Sequence, residues 1–330
     1  MKRKFWTTPI FLILLPLVVF VLSLFIGRYP KPLFMPISVL LNDELAQRLV
    51  FSLRLPRVLT ALLLGMSLSA AGGVMQMLFR NPLVEPGFLG VSQGAGFGAA
   101  LSIIFFSSSP LLVETSAAFF AMLGLLISYY LAHRIRFGGW ILRLILSGIV
   151  VSAIFSAGLG ILKYLADPTS QLPEIVFWLL GGLYSVMWRD LIYIMPVVVV
   201  GLLVIILMRW RLNLLALGDE TAASLGVSVQ RERALLLIAS VAITAAVISV
   251  AGIVGWIGLI IPQIARRISG ANAADFIPLS ISLGGTFAII CDNIARTATA
   301  GELPLGIITS LIGAGIFVVL MVKPTVRLKR

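Results

Sequence analysis

The run A-L-L-L-I-A-S-V-A-I-T-A-A-V-I-S-V-A-G-I-V-G-W-I-G-L-I-I-P-Q-I-A, from Ala234 to Ala265, holds 32 residues without a charge. As a single helix rising about 1.5 Å per residue it would measure roughly 48 Å, against a bilayer hydrocarbon core of about 30 Å. It must therefore bend. Gly252, Gly255 and Gly258 supply the break and Pro262 lies in the second piece. The run divides into a full span near 234–254 and a shorter piece ending at Arg266 and Arg267. The rest of the composition suits lipid as well: 60% hydrophobic, 12% charged, mean hydropathy +1.09.

Outward from this run, apolar segments of spanning length occur at 9–27, 57–79, 114–132, 141–166, 190–208, 276–297 and 304–322. The segment 89–107 is apolar and rich in glycine (Gly90, Gly94, Gly96, Gly98), which suits a helix packed closely against neighbours. The reading is an all-α integral membrane protein of about ten transmembrane helices forming one domain over 1–330. The first segment starts with Lys2, Arg3 and Lys4, yet no small-residue cleavage site follows it, so it reads as a span and not a leader. The net charge of +12 would suggest nucleic acid on a soluble protein. In the ten-span topology the basic residues collect on one side, including Arg80, Arg134, Arg136, Arg209, Arg211, Arg231, Arg233, Arg266, Arg267 and both chain ends. That bias reports orientation, with both termini cytoplasmic and no nucleic-acid partner. Between two spans, Leu172–Arg189 is apolar but too short to cross and return, and predicts a short helix dipping into the outer half.

Several chemistries are excluded. The single cysteine, Cys291, allows no internal disulfide or Cys-rich metal site, and the single histidine, His133, reads as part of a solvated loop beside Arg134 and Arg136. No metal site and no catalytic residues are expected. There is no G-x-x-x-x-G-K-[ST], H-E-x-x-H or G-x-S-x-G, so the chain has no ATP-binding loop of its own and does not read as an enzyme. Ion-coupled carriers retain several charges inside their spans, where each costs about 2.5–3.5 kcal/mol. Here the nearest candidates, Lys163, Asp292 and Arg296, fall toward outer ends, and the last two are spaced for a helical ion pair.

The longest inner loop, 209–233, contains L-A-L-G-D-E-T-A-A-S-L-G-V from Leu215 to Val227. Asp219 and Glu220 favour a helix N-terminus and Gly226 a C-cap, so Asp219–Leu225 predicts a short helix outside the membrane, with Leu217, Ala222 and Leu225 as an apolar face. It reads either as a helix that docks into a partner's groove or as a capped surface loop. In the fifth span Ser147, Gly148, Ser152, Ser156 and Gly160 form a small, weakly polar stripe, which reads equally as a path lining or a packing seam.

Five blocks then carry a resemblance: L-R-L-P-R at Leu53–Arg57, G-G-V-M-Q-M-L-F-R-N-P-L-V-E-P-G at Gly72–Gly87, the Leu215–Val227 block, G-L-I-I-P-Q-I-A-R at Gly258–Arg266, and D-N-I-A-R-T with E-L-P-L-G-I-I-T between Asp292 and Thr309. In this order the chain resembles the BtuC/FecCD-type permease subunits of bacterial ABC importers for cobalamin, haem and iron–siderophore complexes. The resemblance implies the type II ABC importer permease fold in a bacterial inner membrane. It implies a homodimer, or a pair with a close paralogue, around a central path. Two ABC ATPase subunits carrying ATP and Mg would sit on one side, and a soluble substrate-binding protein on the other, with no cofactor on this chain.

By the same resemblance, Arg54, Arg57 and Arg296 would meet the binding protein. Leu215, Leu217, Gly218, Asp219, Glu220, Ala222, Leu225 and Gly226 would couple to the ATPase, Asn81 and Leu83 would form the cytoplasmic gate, and Ser147, Ser152 and Ser156 would line the path. A second gate element precedes the fifth span. There the chain has Trp140, Ile141 and Leu142, where small polar residues are expected from the family pattern. A secondary transporter driven by an ion gradient is the competing reading, and a non-transporting scaffold a third.

Overall fold

The computed structural model describes residues 8–30, 33–106, 109–299 and 301–322. Its helices are α1 (Pro9–Phe25), α2 (Ile37–Asn42), α3 (Glu44–Arg48), α4 (Leu55–Leu78), α5 (Val91–Phe105), α6 (Pro110–Arg134), α7 (Trp140–Leu165), α8 (Gln171–Leu180), α9 (Trp188–Leu215), α10 (Asp219–Ser224), α11 (Val229–Ala251), α12 (Ile257–Ser269), α13 (Ala273–Thr297) and α14 (Leu305–Val322). After α1, two short strands, β1 (Ile26–Gly27) and β2 (Leu33–Phe34), pair antiparallel with Ile26 opposite Phe34.

Among the described residues seven helical segments are long and apolar enough to cross a membrane: Glu44–Leu78, α6, α7, α9, α11, α13 and α14. The shorter apolar helices α1, α5 and α8, and α12 as the second piece of the bent run, make the number roughly consistent with the expected ten. The long run bends where expected, between α11 and α12, but not on the expected set of glycines. Gly252 takes a positive φ of +66°, the second left-handed residue is Trp256 at +71°, and Gly258 serves packing, abutting the Leu68 carbonyl and Pro86. The short helix expected in 172–189 is α8, and the loop helix is α10.

Two boundaries differ from the sequence reading. The second span does not begin at Arg57: α3 continues through a wide π-type turn, Leu49–Arg54, directly into α4. Pro56 stands in the first turn of α4, where the wider preceding turn leaves room for a residue without an N–H. His133 is not in a loop but in the last turn of α6, exposed, with Nδ1 2.9 Å from the Tyr129 carbonyl. Lys2, Arg3, Lys4, Lys323, Arg327, Lys329 and Arg330, on which the orientation of the termini rests, lie outside the described residues.

α4, α11 and α13 bury most of their length and form the centre, whereas α6, α7, α9 and α14 bury a third or less. Close crossings on glycine hold the centre together. A Cβ on Gly65 of α4 would overlap the Gly284 backbone of α13, and one on Gly72 would overlap Gly258 of α12. In lipid, where apolar side chains gain little by leaving the hydrocarbon, such backbone proximity carries helix association. α5 meets α6 the same way through Gly94 and Gly98, and the Ser116 hydroxyl donates to the Gly98 carbonyl at 2.7 Å.

Candidate functional site

Polar groups gather at the two ends of the bundle. At one end the π-type turn presents Arg54, α4 presents Arg57, and α13 presents Arg296. The Arg57 guanidinium grips Asp292 with Nε and Nη2, at 2.9 and 2.8 Å from Oδ1, and Nη1 lies 2.9 and 2.8 Å from the two Glu302 oxygens. Arg296 Nη2 donates to the Ser23 carbonyl and hydroxyl, both at 2.7 Å, and to Asn293. Its Nε stands 3.8 Å from Asp292 Oδ2, so the pair expected from the i,i+4 spacing is present but looser than the one Asp292 makes with Arg57. Arg54 lies across Gly27 and donates to the Leu24 carbonyl at 3.0 Å.

With Arg28, Tyr29, Tyr184 and Glu302 these arginines line an open cavity of about 300 Å³. Four arginines line it with one carboxylate, Glu302, while Asp292 lies buried behind Arg57, so the mouth is electropositive. The three predicted arginines are thus brought together, but their side chains are not loose surface cations. Those of Arg57 and Arg296 are 11% and 6% exposed and tie α1, α4, α13 and the α13–α14 loop to one another. Glu302, the half-exposed partner of Arg57, was not singled out by the sequence reading.

At the opposite end α10 is short and braced. Gly218, with φ +126°, and Gly226, with φ +78°, flank it as expected. Leu215, Ala222 and Val227 are buried and anchor the loop, whereas Leu217, Glu220 and Leu225 are exposed. The predicted single apolar face therefore splits: Ala222 points inward, and the two leucines point away from the bundle. Arg233 of α11 reaches Asp219 with Nη1 at 3.2 Å and Nη2 at 2.5 Å, and this hydrogen bond is the main reason the Asp219 carboxyl is held below its ordinary range. The same guanidinium lies over the Trp140 ring, 4.3 Å from its centroid.

The Asn81–Pro86 loop lies at this end too. Asn81 Oδ1 accepts from the Leu83 N–H at 2.9 Å, which leaves the Leu83 side chain exposed, and Gln263 of α12 donates to the Pro82 carbonyl at 2.9 Å. Gln76 donates to the Gly258 and Leu259 carbonyls at 3.2 and 3.0 Å and receives Arg266, so the start of the loop is fixed to α12. Phe79, the residue closing α4, stacks at a tilt on Trp140 with centroids 6.1 Å apart. The two expected gate elements are thus neighbours. Sequence reasoning missed Arg233, although the bulky Trp140 in place of small polar residues was the signal that something packs against it.

The α7 stripe does not hold as one face. Ser147 is buried and donates to the Arg143 carbonyl at 2.8 Å, Gly148 packs on the Phe88–Leu89 backbone, Ser152 is half-buried, and Ser156 and Gly160 are exposed. A spacing of four drifts by about 40° per step on a helix of 3.6 residues per turn. The stripe therefore rotates from the core at its start to the outer surface at its end.

Residues 14–323 match the FecCD transport family. The molybdate import permease MolB of Haemophilus influenzae is 37% identical over 94% of both chains. A Helicobacter pylori protein named as an iron chelatin transport permease is 39% identical over 86% of this chain and 85% of that one. The hemin transport permease HmuU of Yersinia pestis is 38% identical over 82% of each. A solved structure described as a candidate metal-chelate type ABC transporter, in an inward-facing conformation, superposes with a TM-score of 0.86 at 37% identity, covering 94% of this chain and 97% of that one. A second, PsaBC from Streptococcus pneumoniae in complex with Fab, shares the fold alone, with a TM-score of 0.59 at 18% identity, over 88% of this chain and 95% of that one.

Proposed function

The chain belongs to the FecCD transport family as an ABC permease, and from that premise we propose that it moves a metal chelate of the iron–siderophore, haem or cobalamin-like class inward across a bacterial inner membrane. The observation that carries the coupling part is α10. A helix of six residues, anchored by Ala222 and a buried arginine, holds two leucines and Glu220 out from the bundle end. A solvated linker has no use for exposed leucines on a braced turn, whereas a partner's groove does. Residues 209–233 then serve as the coupling loop of a single permease domain, and hydrolysis of ATP with Mg belongs to two partner ATPase subunits.

At the other end the electropositive mouth around Arg54, Arg57 and Arg296 receives an acidic surface of a soluble binding protein. Because Arg57 and Arg296 are largely buried and already paired, they act through the field of the mouth, which orients and steers the encounter, and not as exposed ion pairs. A second copy of the chain covers the exposed end of α7, placing Ser156 and Gly160 toward the path, and the termini lie on the ATPase side. The relatives' names divide between chelates and an oxyanion, molybdate. We favour a chelate because an uncharged, small-residue wall at Ser156 and Gly160 suits a bulky cargo that must not be rebound on its way through.

The test is reconstitution with the neighbouring ATPase and binding protein in proteoliposomes. Stimulation of ATP hydrolysis by loaded binding protein is expected, and uptake that proceeds without the ATPase would replace this reading by the ion-driven carrier. Mass spectrometry of the binding protein as purified identifies the cargo, and bound molybdate in place of a chelate would overturn that part.

A further inference from the structure

We infer that Arg233 and Trp140 form the link through which docking at α10 reaches the gate, an inference that rests on the coupling role proposed for α10. One guanidinium stands between the two parts. Its edge holds Asp219, the first residue of α10, whose side chain is 56% exposed and moves with whatever seats on that helix. Its face lies 4.3 Å from the centroid of Trp140, the first residue of α7. Trp140 in turn contacts Phe79, which closes α4 immediately before Arg80 and Asn81. The chain of contact thus runs from α10 through α11 to the start of α7 and on to the Asn81–Leu83 loop.

Two features distinguish a link from a plain strut. The segment before Trp140 is held weakly: Gly138 has φ +73°, Gly139 has no neighbour within 4 Å of where a Cβ would stand, and Phe137 is exposed. Arg143 holds the start of this connection by donating to the Ile135 carbonyl at 3.2 Å, and Trp140, between Arg233 and Phe79, holds its end. Arg233 is also incompletely satisfied, since its Nε is buried without a hydrogen-bond partner, so hydrogen bonds do not hold the guanidinium on every side. Only arginine can use a planar edge on a carboxylate and a planar face on an indole at once; lysine keeps the charge and loses the geometry. The link also accounts for the departure at position 140, because a small polar residue there would give the guanidinium no surface to lie on. Arg233 and Trp140 are positioning residues, acting through the gate loop and touching no cargo.

The experiment uses the assembled complex with its ATPase. Gate exposure is read as the rate of maleimide labelling at Leu83→Cys in a Cys291→Ala background, with and without Mg-ATP and vanadate. The parent should change its labelling rate on adding nucleotide. Trp140→Ala should keep assembly with the ATPase and basal hydrolysis while losing about five-fold or more of that nucleotide-dependent change, the lower range of ordinary coupling between sites, and Arg233→Lys should lose as much of it. Trp140→Phe, which keeps an aromatic face, should restore most of it and guards against misfolding of the alanine variant. A full nucleotide response in both Trp140→Ala and Arg233→Lys would overturn the link, as would a parent that shows no response. Leu225→Glu separates the two ideas: if the complex still assembles and is stimulated normally, the docking role of α10 fails, whereas lost assembly there with an intact response in Trp140→Ala sinks the link alone.

Discussion

Replacing Arg57 by methionine removes the partner of a carboxylate that is 1% exposed. Asp292 Oδ1 accepts one hydrogen bond from Arg57 Nε and lies 2.8 Å from Nη2, while its other oxygen, Oδ2, is buried with no hydrogen bond and has only Arg296 Nε at 3.8 Å. Breaking a buried pair in this way leaves the carboxylate with only the looser Arg296 contact and no hydrogen bond, and costs about 3–5 kcal/mol. The second arm of Arg57 ends on Glu302, whose side chain is 42% exposed, and adds only about 0.2–1 kcal/mol. At about 2–4 °C per kcal/mol for a large domain, the expected fall in the unfolding midpoint is roughly 6–20 °C. The protein carries its own reporter: its single cysteine, Cys291, is fully buried beside Asp292 and becomes reactive to a fluorogenic maleimide only when this region opens. Arg57→Met paired with Asp292→Leu removes both charges and should recover most of the loss, because a buried pair exchanged for apolar side chains is often neutral. A fall below about 2 °C in the single variant, or a double variant no better than the single, would refute the claim that Arg57 is first a structural tie.

Three further outcomes follow from the same geometry. Gly65→Leu pushes a side chain into the Gly284 backbone, so it should cost at least the 1–3 kcal/mol typical of overpacking and lower the midpoint in the Cys291 assay, while Gly315→Ala, which meets open space, should not. Leu225→Glu should leave that midpoint unchanged, since Leu225 is exposed, yet abolish stimulated hydrolysis in the reconstituted complex. The Asp219 carboxyl is depressed by Arg233, so its tie is fully present above the ordinary carboxylate value of 3.8 and is lost only as pH falls through the lower folded value. Relative to the rest of the chain, deuterium uptake in Asp219–Ser224 should therefore stay level from pH 5 to 8 and rise only below 3.8, and Asp219→Asn should show the raised uptake at every pH.

The spans were legible because bilayer thickness imposes a length on apolar runs, and the 234–265 run exceeded it so far that a bend was required. Which residues make the bend was legible only in part: Gly252 does take a left-handed conformation, but the second such residue is Trp256 and not its neighbour Gly255, while Gly258 packs on Pro86 and Leu68. The π-type turn at Leu49–Arg54 escaped notice because Pro56 reads locally as a helix start. The partners of the arginines were hidden by distance along the chain, since Arg57 and Glu302 are 245 residues apart. α10 was visible from capping residues alone, but the division between its buried alanine and exposed leucines depends on where α11 places Arg233.

The central claim, a permease driven through α10 by a separate ATPase, is tested most directly by cargo-loaded binding protein added to proteoliposomes containing the whole complex. The account predicts uptake that requires ATP and disappears in Leu225→Glu while the complex stays folded. Uptake that persists without ATP, or at full rate in that variant, would contradict it.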